Sequence, residues 1–212
     1  VIGDLLPPGV AWAERFGDDV PEELFPQEEE AVARAVPKRR REFATGRWLA
    51  REALGELGLP RSPIVPGERG APGWPPGIVG SITHCDGYRA AAVALDHGFL
   101  TVAIDAEPDL PLPFGVRDAI ARREEVGQLS RSGLNWDRLL FCAKEAVYKA
   151  WFPLARTWLD FSEARVTLRP DGTFGATILI DGPLDRLDGR WLSANGLLLA
   201  AIALPAAPHR EH

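Results

Sequence analysis

Thr101-Val102-Ala103-Ile104-Asp105-Ala106-Glu107, read together with Phe141-Cys142-Ala143-Lys144-Glu145-Ala146-Val147-Tyr148-Lys149, decides how this chain folds and where its chemistry lies. The first stretch is an apolar run ending in two acids and predicts a strand. Residues i and i+2 of a strand point the same way, so Asp105 and Glu107 share one face, preceded there by Thr101 and Ala103. Leu100, Val102 and Ile104 then turn the other way into a core. In the second stretch Leu140, Ala143, Val147 and Ala150 recur at helical spacing and predict a buried stripe. Glu145 and Lys149 lie one turn apart on a different face. Three carboxylates and a lysine on two rigid elements can hold a hard divalent cation together with a phosphate. Magnesium favours such a site, because it takes few protein oxygens and fills its shell with water or phosphate oxygens. Each stretch alone also has a plain structural reading, as a solvated strand end or an i,i+4 surface pair.

Outward from these stretches the pattern is mixed. A short helix is expected over residues 27–35, and Pro37 opens a longer one to about Leu57, since proline suits the first helical position. Phe43, Ala50, Ala53, Leu54 and Leu57 are its buried stripe, and Gly58 with Pro60 ends it. Residues 60–77 are loop around Trp74, and strands follow at 78–83, 88–95 and 100–105. A proline-rich connection leads to a helical stretch at 116–129, and the helix bearing Glu145 covers 135–151. Strands at 165–168 and 173–180 flank Pro170-Asp171-Gly172, and strands at 190–194 and 197–204 flank Asn195-Gly196, a strong short-hairpin signal. A long helix followed by antiparallel strands thus occurs twice, and the class is α+β rather than alternating βαβ.

Composition narrows the function classes. The 212 residues are 46% hydrophobic and 25% charged, an ordinary globular balance for one large domain or two small ones. No apolar run is long and uncharged enough to span a bilayer, and the N-terminus lacks a basic-then-apolar signal pattern. The absence of methionine suggests an alternative start or a trimmed chain, and a cytoplasmic enzyme is the default. A net charge of −6 argues against nucleic acid as a partner through bulk electrostatics. Cys85 and Cys142 sit in apolar contexts and are expected to be reduced core residues.

Two further groups offer ligand chemistry. Arg34, Lys38, Arg39, Arg40, Arg41, Arg47 and Arg51 crowd one stretch, opposed there only by Glu42. Arg40, Arg47 and Arg51 fall near one helical face, where a phosphate clamp is geometrically possible. The bland alternative is a solvated face. Gly80-Ser81-Ile82-Thr83-His84-Cys85 places small residues and several donors where a strand meets a turn.

In order along the chain, Lys38-Arg39-Arg40-Arg41-Glu42-Phe43-Ala44-Thr45-Gly46-Arg47, Trp74-Pro75, Gly80 to Cys85, Gly87-Tyr88-Arg89, Ile104-Asp105-Ala106-Glu107-Pro108 and Phe141 through Pro153 resemble the surfactin- and enterobactin-type phosphopantetheinyl transferases, especially their actinobacterial members. The likeness spans about residues 36–161 and is looser beyond. It implies transfer of 4′-phosphopantetheine from coenzyme A to a serine of an apo acyl or peptidyl carrier protein, with adenosine 3′,5′-bisphosphate as the other product. It also implies a pseudo-twofold pair of α+β halves in one monomeric chain, with coenzyme A between them; the divide falls near Asp109, giving halves 1–108 and 109–212. By resemblance, Asp105, Glu107 and Glu145 hold Mg²⁺ with the pyrophosphate. Glu145 takes the serine proton. Lys149, with Lys144 nearby, neutralises the phosphate as its bond breaks. Arg39, Arg47 and His84 take the 3′-phosphate, and Ser81 adds a donor. Relatives often carry a lysine where this chain has Pro66, which cannot donate, and Arg69 of the same loop is the expected substitute. Two alternatives stand beside this reading: a metal-dependent nuclease, disfavoured by the acidic pI, and a carrier-binding module without catalysis.

Overall fold

Ala90, Ala92 and Ala94 alternate along one strand with Ala91 and Val93, and the two sets are buried in different clusters. A strand dry on both faces must lie between two layers. The structure, a computed structural model describing residues 1–18, 23–128, 130 and 133–207, stacks four. Its elements are β1 (Val10–Phe16), α1 (Pro26–Ala31), α2 (Pro37–Glu56), β2 (Ile78–Cys85), β3 (Tyr88–Leu95), β4 (Phe99–Pro108), α3 (Val116–Ile120), α4 (Trp136–Ala155), β5 (Ala164–Leu168), β6 (Thr173–Ile178), β7 (Arg186–Ala194) and β8 (Leu197–Pro205). One antiparallel sheet has the order β1-β3-β2 and the other β4-β8-β7-β6-β5. The α+β architecture with a long helix on each of two antiparallel sheets is the one expected from the sequence.

The layers follow from strand parity. Leu49, Ala50, Ala53 and Leu54 of α2 pack with Ile78, Ala91 and Val93 on one side of the small sheet. Its other side meets Val102, Ile104 and Ala106 of β4 and Leu197, Leu199 and Ala201 of β8. The opposite face of the large sheet carries α4, with Leu140, Ala143, Val147 and Ala150 against Ala103, Phe174, Leu198 and Ile202. Val102 and Ile104 thus face the core as expected. Leu100 does not; it is 44% exposed, because the β4–β8 register slips between Phe99 and Thr101.

Several local expectations are corrected. Strand β1 was not foreseen: its neighbours are proline and acid, yet Ala11 and Ala13 pack under α2 and every residue pairs with β3. Helix α1 stops at Ala31, and Val36, before Pro37, takes the extended conformation that a following proline favours. Of the helix expected over 116–129, the described residues form α3 and a 3₁₀ turn at Arg123–Glu125, and Leu129 lies outside the described residues. Glu125 and Gln128 instead use their side chains as a substitute strand: Glu125 accepts from Val166 N at 2.6 Å, while Gln128 accepts from Leu168 N at 2.7 Å and donates to Val166 O at 3.0 Å. Helix α4 runs past Trp151 and through Pro153, held by the buried Trp151 and Phe152. Both cysteines are free.

The strand after the α2–β2 loop also joins the two sheets. Strand β2 lies beside β4, and Ala106 N donates to Thr83 Oγ1 at 3.1 Å across this seam. Glycine at position 46 permits the matching approach of α2, since a Cβ there would stand 3.0 Å from Ile82 Cγ2. Among the described residues no helix is long and apolar enough to cross a membrane.

Candidate active site

The seam is where the acids of β4 meet α4. Lys149 Nζ lies 2.7 Å from Asp105 Oδ1 and donates to Ile104 O at 3.1 Å. Thr83 Oγ1 donates to the same carboxylate oxygen at 3.3 Å. Burial pulls the Lys149 ammonium down, but Asp105, to which it is hydrogen-bonded, and Glu145 outweigh it and its pKa is raised. Glu145 stands one helical turn back. Burial, reinforced by Asp105 and opposed by Lys149, pushes its carboxyl up to about 7. Burial and Asp105 also raise Glu107, although Arg138 opposes them from 2.9 Å. Burial first, and the Asp105 charge second, thus leave an imbalance at these two carboxylates that favours their protonated forms.

That imbalance bears on the expected cation. Among the described residues no three His, Cys, Asp or Glu side chains already stand at coordination spacing. The donor set nonetheless fits one: Asp105 Oδ2 is buried without a hydrogen-bond partner, and the neighbouring acids are hard oxygens. Asp105 and Glu107 share one strand and Glu145 lies near enough to feel both charges, with Lys149 on Asp105 and Arg138 on Glu107 supplying the positive charge.

The basic stretch is resolved differently. Arg51 is buried against Glu28 at 2.7 Å, Arg40 pairs with Glu29, and Lys38 lies 3.7 Å from Asp86. Acids distant in sequence thus oppose this stretch, not Glu42 alone. Arg47 is also buried, its Nε donating to Ile64 O at 2.8 Å and its guanidinium stacked 4.0 Å from the Phe43 ring centre. Burial lowers its pKa to about 10. Arg39 remains on the surface, 2.6 Å from His84 Nε2, and burial together with Arg39 keeps His84 below the usual histidine range. Arg39, Arg47 and His84 form a neighbourhood; Arg40 and Arg51 do not belong to a clamp with Arg47.

Arg69, in a left-handed conformation at φ 53°, lies 5.1 Å over the Trp158 ring, which contacts Tyr148 on the Glu145 side of α4. From the loop that carries Pro66, Arg69 thus reaches the segment that follows α4. Two expected ligand contacts are corrected. Lys144 is buried against Glu125 at 2.8 Å and donates to the carbonyls of Ile120, Phe161 and Ala164, away from the acid cluster. Ser81 is buried as well, and its hydroxyl faces Ile104 O at 3.4 Å within the seam. Adjacent residues of a helix point about 100° apart, so Lys144 and Glu145 cannot both face the site. Sequence reasoning missed Arg138. Its spacing of seven from Glu145, two helical turns on the same face, was the available signal.

Comparison with known proteins identifies the family. Residues 27–94 match the family model described as the 4′-phosphopantetheinyl transferase N-terminal domain, and residues 101–200 match the 4′-phosphopantetheinyl transferase superfamily. The chain is 50% identical to 4′-phosphopantetheinyl transferase Svp of Streptomyces mobaraensis, covering 97% of this chain and 90% of that protein. It is 49% identical to 4′-phosphopantetheinyl transferase Npt of Nocardia iowensis, covering 96% and 99%. Enterobactin synthase component D of Salmonella typhi is 33% identical over 61% of this chain and 55% of its own length. Two family models in order and near-complete alignment at about half identity establish that this chain is an enzyme of the 4′-phosphopantetheinyl transferase superfamily.

Proposed function

We propose that the chain transfers 4′-phosphopantetheine from coenzyme A to a serine hydroxyl of an apo acyl or peptidyl carrier protein, releasing adenosine 3′,5′-bisphosphate. The observation that carries this reading is the meeting of Asp105, Glu145 and Lys149 at the seam of the two sheets. A serine hydroxyl is a weak nucleophile at neutral pH and needs a positioned base. Glu145, held up to about 7, is suited to take that proton, directly or through a water. The serine oxygen bonds to the phosphorus of the pantetheine phosphate, and the bridging pyrophosphate oxygen leaves with the electron pair. Lys149 offsets the charge that grows there. Asp105, Glu107 and Glu145 would hold magnesium, which when bound would supply positive charge to the pyrophosphate and to the departing phosphate.

Arg39, Arg47 and His84 take the 3′-phosphate, and Arg69 contributes from the Pro66 loop. Residues 1–108 supply these contacts and the Asp105/Glu107 strand; residues 109–212 supply α4 and the hairpins. The enzyme works as a cytoplasmic monomer, without nucleic acid or membrane as partner. The superfamily assignment sets aside the nuclease alternative. Incubating the protein with apo-carriers, coenzyme A and magnesium, then weighing the carriers, tests the reading. A carrier gaining one phosphopantetheine is expected; stoichiometric binding without a mass gain on any carrier overturns it.

A further inference from the structure

Arg138, in the first turn of α4, spends one guanidinium on three separate acceptors. Nη1 meets Glu107 Oε2 at 2.9 Å, Nε donates to Leu110 O at 3.1 Å, and Nη2 donates to Pro111 O at 2.9 Å. The loop it grips is tied at its root as well. Asp109 N donates to Gly196 O at 2.8 Å, and Asp109 Oδ1 accepts from Asn135 Nδ2 at 2.8 Å. Leu110 and Phe114, both strongly exposed, follow on the same loop. The Arg138 side chain is mostly shielded from solvent, as is that of Glu107, so screening weakens this pair less than a surface one.

We propose that Arg138 is a positioning residue that fixes the plane of the Glu107 carboxylate for a divalent cation and fastens it to the 109–114 loop, so that cation binding and loop order are coupled. A guanidinium is a rigid planar fork, and holding Oε2 orients the whole carboxylate without using Oε1. Groups that orient a metal-binding side chain from behind commonly change metal affinity by about 10–100-fold when removed. A lysine at position 138 keeps the charge but is a point donor, unable to serve a carboxylate and two carbonyls at once. The proposal rests on the reading of Asp105, Glu107 and Glu145 as cation ligands.

The test uses Mn²⁺ alone, without donor or carrier, and reads free Mn²⁺ by electron paramagnetic resonance. Arg138→Gln should weaken Mn²⁺ binding at least tenfold while the circular dichroism spectrum is kept. Arg138→Lys should recover less than half of the loss on a logarithmic scale. The double variant Arg138→Gln/Glu107→Gln should bind Mn²⁺ as Glu107→Gln alone does, because Arg138 acts through Glu107. Hydrogen exchange at the Asp109 and Leu110 amides should accelerate in Arg138→Gln and stay slow in Glu107→Gln, where the carbonyl contacts survive; adding Mn²⁺ should slow it in the wild type. Wild-type Mn²⁺ affinity in Arg138→Gln, multiplicative losses in the double variant, or exchange indifferent to Arg138 or to Mn²⁺ each overturn the proposal. A wild type that binds no Mn²⁺ overturns the cation reading itself, and this proposal with it.

Discussion

Helices α2 and α4 are both 20 residues long and each covers one sheet, yet they spend their charge in opposite ways. The more basic α2 commits Arg51 to the buried Glu28 and pairs Arg40 with Glu29 and Lys38 with Asp86 at the surface, while Arg47 spends its Nε on Ile64 O. The more apolar α4 keeps few charges on its face toward β4, and those stay in tension: Glu145 is pushed up to about 7 while Lys149 is gripped by Asp105. Density of charge along a helix therefore locates chemistry poorly. Charges forced together under partial burial, with an oxygen such as Asp105 Oδ2 left unsatisfied, locate it better.

The largest effect that separates the helices is expected at α4. Glu145→Gln should lower transfer by about 10²–10⁴-fold, the usual worth of a positioned base, while coenzyme A still binds. The wild-type rate should also fall on the acid side, where the carboxyl is protonated and cannot accept. Its midpoint should lie at or below about 7, since a bound cation draws the carboxyl down. The variant should lose that acid limb. Single-turnover rates across pH check this, and a variant within threefold of wild type removes Glu145 from the chemistry.

On α2 the expected loss is stability. Arg51→Ala strands the fully buried Glu28 and should cost about 3–5 kcal/mol, measured by urea unfolding. Unchanged stability with weakened donor binding would place Arg51 at the ligand, and the contrast with α4 would collapse.

Smaller effects sharpen the boundary within α2. Dephospho-coenzyme A should bind wild type about tenfold more weakly, one lost charge-assisted contact being worth roughly 1.5–3 kcal/mol before screening. The variant Arg39→Ala/Arg47→Ala should respond far less to the missing phosphate. Competition binding decides it, and equal wild-type affinities would leave Arg39 and His84 as a surface contact only. Smallest of all, Arg69→Ala should cost about 0.2–1 kcal/mol of donor affinity, the scale of one solvent-exposed charge pair. Calorimetric affinity identical to wild type would confine Arg69 to its loop.

Much of this was written in local sequence. Period-two alternation over Leu100, Val102 and Ile104 named the buried face correctly for the last two, as did the stripe Leu140, Ala143, Val147 and Ala150, and the acids and Lys149 fall on other faces. These patterns are local because strand and helix periods are set by backbone geometry alone. The tertiary structure alone decided which charges remained for ligand. Lys144 and Glu145 are adjacent, yet one is sealed against Glu125 and the other faces Asp105; Arg51 and Arg39 share a helix, yet only Arg51 meets a buried acid. Strand β1 and the side-chain pairing of Glu125 with β5 likewise depend on partners about 80 and 40 residues away. A charge is committed by whichever oppositely charged or hydrogen-bonding group the fold carries to it, and burial then makes that commitment costly to undo. Such partners come from distant parts of the chain, so no window of sequence contains them.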